Sequence, residues 1–283
     1  MEFFFSNDPQ EIENEIKKQE CFRHYFPKLM GENDDTNYVL FDSNNRNKIK
    51  IIKAKPNDKI VGPIDKMLNK AKVFAKEIAF AVRNPKVAIE VGAGVTHNAT
   101  DISTNATRFA TKGNILYGTK PKSEEELGSE NGAFRHALWQ AAITAKFGKV
   151  HAVKAGNAHE VNPEIDLTKR QFNYLENADQ TTDLLNNNIG RAIGENNRGK
   201  NMKQLALILL DEFKNNGLYV SEKDERGVYN VKKKQITEEK YDSLKSIYDN
   251  VDENCLTEED YIRIDKENKQ KIEQMQISWG TMK

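Results

Sequence analysis

The chain has 283 residues, 37% hydrophobic and 30% charged, enough for a core in one large domain or two modest ones. Lysine plus arginine and aspartate plus glutamate each count 43, so no global basic field argues for nucleic acid, although a local basic groove stays open. The two cysteines, Cys21 and Cys255, lie far apart and form no metal or redox spacing.

No apolar run approaches the roughly 18 residues of a membrane span. The start, Met1-Glu-Phe-Phe-Phe-Ser, lacks the basic region and long apolar core of a signal peptide. Such a chain is expected to be cytoplasmic in its producer, exported by machinery that reads something else, or cut from a longer polypeptide.

Asn7-Asp8-Pro9 predicts a helix start. The helix is expected to reach about Leu29, burying Ile12, Ile16 and the group Phe22, Tyr25 and Phe26, with His24 a packing or surface residue. Residues 38–41 and 49–53 predict short strands around the turn-rich segment 42–47. Pro63 opens a helix to about Arg83, whose expected core side is Ile64, Met67, Leu68, Ala71, Phe74, Ala75 and Ile78. Asn84-Pro85 breaks it.

Residues 86–95 are ambiguous, because Val87, Ile89 and Val91 alternate as in a strand while Gly92 and Gly94 weaken either reading. These glycines do not match a phosphate-binding loop, and a pore-forming role for them is the weakest reading. Residues 96–109 predict a polar helix with His97 and Asp101 at i, i+4, a pair that chance readily supplies. A charged loop, 118–132, leads to the centre of the chain.

There, Asn131-Gly-Ala-Phe-Arg135-His136-Ala-Leu-Trp139-Gln140 predicts a helix with Phe134, Leu138, Ala141 and Ala145 on one arc and Arg135, His136, Trp139 and Gln140 on another. Gly148 is its C-terminal cap. A helix over 149–160 follows and ends at Asn162-Pro163. Thr168 is the expected cap of the next helical run, to about Gly194. On that run Leu185, Ile189, Ala192 and Ile193 fall together, opposite Glu176, Asp179, Asp183, Asn187 and Gly190, with Arg191 at the edge. Residues 201–215 predict a well-buried helix, and 218–220 with 228–231 a hairpin. Thr237-Glu-Glu and Thr257-Glu-Glu open two charged helices with a thin apolar stripe, expected to form an outlying appendage.

Two helices with dense polar faces, joined by a segment carrying His159-Glu160, suit one pocket. They equally suit two surface helices whose polar faces meet water. The candidate catalytic residues are His136, His159, Glu160, Asp183, Arg135 and Arg191, with Trp139, Gln140, Asn186, Asn187 and Asp179 as substrate-binding candidates. Imidazole with carboxylates serves metal sites and metal-free acid–base work alike. His159-Glu160 has no second histidine at HExxH spacing, and no serine or cysteine sits in a nucleophile elbow. Asp179, Asp183 and Asn187 stack at i, i+4 and call for a positive group opposite: Arg135, Arg191, a protonated His136 or His159, or a divalent cation. With arginines at hand, a metal-free cluster is the expectation and a divalent metal the alternative.

The pattern Asn131-x3-Arg135-His136-Ala-x-Trp139, then His159-Glu160, then Asp183-x2-Asn186-Asn187-x2-Gly190-Arg191 resembles a helical domain at the C-terminus of bacterial Rhs-type and other polymorphic secreted toxins. The likeness covers roughly residues 125–235. It departs from the pattern at Asn157, where aspartate is common, and at Leu185, where histidine is common. The resemblance implies an antibacterial effector delivered into a target cell without a classical signal peptide, with delivery machinery or a carrier polypeptide and a cognate immunity protein as partners. It supplies no reaction.

The expected architecture is mainly α, a helical bundle with two small β-hairpins. An N-terminal α+β region spans 1–120, a central helical domain with hairpin 121–235, and a helical appendage 236–283. The expected function is a hydrolase with a His/Glu/Asp site between helices, against a non-catalytic interaction module whose polar cluster is structural.

Overall fold

Strand β2 (Asn37–Asp42) pairs antiparallel with β3 (Asn45–Lys53), and β1 (Tyr25–Leu29) adds to the other side of β2 with Tyr25 opposite Asp42. Residues 25–29 were expected to end a helix. Pro27 explains the difference, since proline breaks a helix interior but is tolerated on an edge strand, where β1 lies. The computed structural model describes residues 25–29, 37–42, 45–53, 63–92, 99–117 and 127–280. The helix expected from Asn7, together with Cys21, His24 and His97, lies outside them.

The described chain divides into two compact units: residues 1–84 with the segment 157–161, and residues 85–156 with 162–283. In the first unit, helix α1 (Pro63–Arg83) follows the strands. Its expected core positions Phe74 and Ile78 are exposed, whereas Val73, Lys76 and Phe80 are half-buried. The packed face is therefore rotated from the most apolar one, and the Lys76 ammonium donates to the carbonyls of Glu160 and Val161 at 3.0 and 3.1 Å.

In the second unit Pro85 occupies the first position of helix α2 (Pro85–Val91), where its missing N–H costs nothing. Val87 and Val91 are buried at i, i+4 and Ile89 is exposed, so helical spacing wins over alternation. Asp101 caps α3 (Ile102–Thr111), accepting from the Thr104 amide at 2.8 Å. Ser129 caps α4 (Glu130–Phe147), and Gly148, at φ +88, donates to the Thr144 carbonyl and ends it. Helix α5 (Lys149–His159) follows directly.

Thr168 does not cap a helix. Its amide and hydroxyl both donate to Asp166 Oδ1 in a turn, and the chain next forms strand β4 (Gln171–Phe172) before α6 (Leu175–Asn196). Helix α7 (Met202–Asn215) starts with a reciprocal Asn201/Gln204 cap. Strands β5 (Leu218–Lys223) and β6 (Tyr229–Lys234) form the expected hairpin, and β4 makes it a three-stranded antiparallel sheet in the order β4-β6-β5. The fold is mainly α with two small sheets.

Thr237 caps α8 (Glu238–Asp249), and α9 (Glu258–Gly280) ends the described chain. The core joins Phe109, Phe134, Leu138, Leu205, Leu209 and Phe213 to Leu244 and Tyr248 of α8. Tyr248 is fully buried, donates its hydroxyl to the Phe109 carbonyl at 2.6 Å and meets the Phe109 ring edge-on. The expected appendage is thus two different things. Residues 236–256 belong to the core, because a stripe as thin as Leu244, Tyr248, Val251 and Cys255 suffices to close it, whereas the described side chains of α9 past Asp260 are mostly exposed. Among the described residues, no helix is long and apolar enough to cross a membrane.

Ending the chain after residue 264 should therefore leave a cooperative thermal transition. Ending it after residue 235, which removes Leu244 and Tyr248, should abolish that transition. Calorimetry on the two truncations checks both outcomes.

Candidate functional site

The site begins with two glycines. A Cβ at Gly190 would stand 2.0 Å from the Ala137 carbonyl oxygen, and one at Gly194 would stand 2.3 Å from that of Ala141. The pairs advance together, so α4 and α6 run parallel with backbones in contact. Small residues along one face of each helix permit this, and the face of α6 that is buried is the polar one. Asp183, Asn186, Asn187, Gly190, Arg191 and Gly194 are buried, Leu185, Ile189 and Ile193 are half-buried, and Ala192 is exposed. The two helices do not turn their polar faces to water.

At this contact the His136 Nε2 atom lies 3.5 Å from Asp183 Oδ2. Glu160, the residue after α5, joins them: one ligand atom each of His136, Glu160 and Asp183 lie within 4.8 Å of one another, and all three residues are buried. Arg135 Nη2 is 3.4 Å from His136 Nε2, and the Trp139 ring stands edge-on to the imidazole at 6.5 Å. Two carboxylates in such a space disfavour each other's ionisation unless a cation or a proton lies between them. An imidazole with two carboxyl oxygens is a donor set that divalent cations take.

The other candidates have separate tasks. His159 is exposed and its Nδ1 sits 2.9 Å from Glu77 Oε1, so of the His159-Glu160 pair only the glutamate reaches the cluster. Successive helical residues point about 100° apart, which forces this separation. Asp179 accepts from the Gly128 amide at 2.6 Å, before the start of α4. Asn186 is bound at both side-chain atoms by the Tyr219 backbone, which ties α6 to β5. Trp139 donates to the Ser103 hydroxyl at 3.0 Å. Asn157 is exposed, and Leu185 packs near Phe172 and Val231.

Of the groups offered as facing Asp183, His136 lies there and Arg191 has other partners. It donates to Gln140 Oε1 at 2.8 Å and to Asn188 Oδ1 at 2.6 Å, and burial lowers its pKa from the ordinary arginine value. Asn188 was not singled out in sequence, although its i, i+3 spacing to Arg191 was a signal. Both amide atoms of Asn187 are buried without a hydrogen-bond partner among the described residues.

Substituting Gly190→Ala forces a methyl into the Ala137 carbonyl. It should lower unfolding free energy by about 3 kcal/mol, read by denaturant titration; a loss within the ~0.5 kcal/mol of an ordinary surface change would show that the two backbones are not in contact.

Residues 95–217, less than half of the chain, match a family model described as "Domain of unknown function (DUF6973)". The matched stretch runs through α3, α4, α5, α6 and α7 and contains His136, Glu160 and Asp183. No curated protein matches the chain. No solved structure matches it. By sequence, then, the segment that builds the site is similar to a domain family whose function is not assigned.

Proposed function

We propose that the protein is a hydrolase that uses a divalent cation held by His136, Glu160 and Asp183. The observation that carries this reading is their convergence, with one ligand atom from each inside 4.8 Å and all three buried. A cation held by these three residues would supply a water activated for attack, its pKa lowered towards about 7. The chain's own part is to neutralise and place that cation. The two carboxylates and the imidazole supply the donors, and Arg135 sits against the His136 ring to fix its orientation. We prefer a bound cation to the metal-free alternative because Arg191, one of the counter-charges that alternative offered, is engaged by Gln140 and Asn188.

The setting we propose is a bacterial secreted effector, made in the cytoplasm of its producer and delivered into a target cell. Its partners on this reading are a cognate immunity protein and a carrier or delivery machine. Support comes from the resemblance to polymorphic-toxin domains, whose motif residues His136, Glu160, Asp183, Gly190 and Arg191 are those that build the site and the helix contact beneath it. A non-catalytic module is the second reading. It is favoured by Asn186 and Asp179, which bind backbone groups: Asp179 accepts from the Gly128 amide, and Asn186 pairs with the Tyr219 amide and carbonyl.

Manganese or zinc should raise the melting temperature of the wild-type protein, EDTA should reverse the rise, and Asp183→Asn should show neither effect. A melting temperature indifferent to both metals would leave the non-catalytic module as the better reading. Expressed in bacteria, in the cytoplasm or directed to the periplasm, the chain should arrest growth in one compartment. Glu160→Gln and His136→Ala should relieve the arrest while His159→Ala should not. Unimpaired growth with wild type in both compartments would refute the effector reading.

A further inference from the structure

The residues that follow α5 are Glu160, Val161 and Asn162, with no glycine to close the helix end. The last carbonyls of a helix have no partner within it, and a cation placed there also meets the negative end of the helix dipole. Here that cation comes from far along the chain. The Lys76 ammonium of α1 donates to the Glu160 carbonyl at 3.0 Å and to the Val161 carbonyl at 3.1 Å. Segment 157–161 accordingly packs with the first unit, although the residues on both sides of it belong to the second. Glu77 adds a contact to His159 at 2.9 Å, but both side chains are exposed, and an ion pair so wet holds little.

The place of Lys76 also accounts for how α1 packs. Val73, Lys76 and Phe80, at i, i+3 and i+7, lie on its half-buried face, while Phe74 and Ile78 are exposed. Hydrophobic burial alone would turn Phe74 and Ile78 inward. The orientation seen puts an ammonium on the packed face instead, where it needs acceptors. The carbonyls of Glu160 and Val161 supply them.

We infer that Lys76 is a positioning residue for the cation site, because it holds the backbone that carries the Glu160 ligand. His136 and Asp183 stand on the two helices that the glycine contacts lock together. Glu160 lies just past the end of α5, where helix backbones fray. Lys76 restrains that end from outside the helix. The inference rests on the hydrolase reading for the cation itself. It makes α1 part of the assembly of the site, so cation uptake and the hold of α1 on residues 160–161 strengthen each other.

The test uses the full-length protein, with manganese as the probe and calorimetric titration as the measurement. Lys76→Met keeps the apolar stem and removes the donors. It should weaken manganese binding about tenfold or more, the usual loss when the support behind a ligand is removed. Charge alone predicts the opposite sign, since taking an ammonium away from the neighbourhood of a cation site raises cation affinity. Lys76→Arg, which keeps the charge and the donors, should recover most of the affinity. Affinity unchanged or raised in Lys76→Met overturns the inference and leaves the metal site standing, even where the metal-free melting temperature falls. A wild type that takes up no manganese refutes the hydrolase reading, and this inference with it. Should Lys76→Met fail to fold, amide hydrogen exchange on the wild type decides. Manganese should then slow exchange at residues 73–80 of α1 as well as at 157–161, and protection confined to 157–161 overturns the inference.

Discussion

Backbone contact between α4 and α6 is the constraint on which the site depends. Gly190 and Gly194 rest on the carbonyls of Ala137 and Ala141 with no room for a methyl group. Only at such a separation can short side chains meet across two helices. His136 reaches Asp183, and Gln140 reaches Arg191, because the axes lie closer than ordinary leucine-lined packing of about 8–10 Å allows. The glycines weaken α6 as a helix, and tertiary packing on both sides offsets that loss.

Close packing of polar faces has an electrostatic consequence. His136, Glu160, Asp183, Asn187, Gln140 and Arg191 are all removed from water, where each group carries a desolvation cost unless something compensates it. Part of the compensation is internal: Asn188 and Gln140 bind Arg191, and Asp183 faces His136. Arg191, whose described partners are amide oxygens, and the buried Gln140 Nε2 carry part of the cost that remains.

Around this polar seam the rest of the second unit is apolar and conventional. Phe134 and Leu138 leave the opposite side of α4 to pack with α7 and with Tyr248 of α8. Helix α4 is therefore buried nearly all round, with a dry face to the core and a polar face to α6. The β4-β6-β5 sheet is attached through Asn186, whose amide takes the place of a strand partner for Tyr219. These supports hold α6 from two directions and leave its polar stripe nowhere to turn but inward.

Local chemistry alone determined the punctuation of this chain. Asn84-Pro85, Gly148, the Asn201/Gln204 cap and Thr237 act through neighbours within four residues, so they are legible without a fold. The residues His136, Glu160 and Asp183 stood out in sequence as chemically dense positions for the same reason. Packing decided what periodicity could not. Polarity left the Asp183 face of α6 open to two readings, a shared pocket or a solvated surface; Gly190 and Gly194 let α4 cover it, and a glycine carries no hydrophobic signal. His159 and Glu160 are inseparable in sequence yet part at the end of α5, one to the surface and one to the cluster. Arg191 was one of several candidate counter-charges for Asp183, and two turns of helix carried it to Gln140. Which polar groups meet is set by the distance between helix axes, and only the assembled tertiary structure determines that distance.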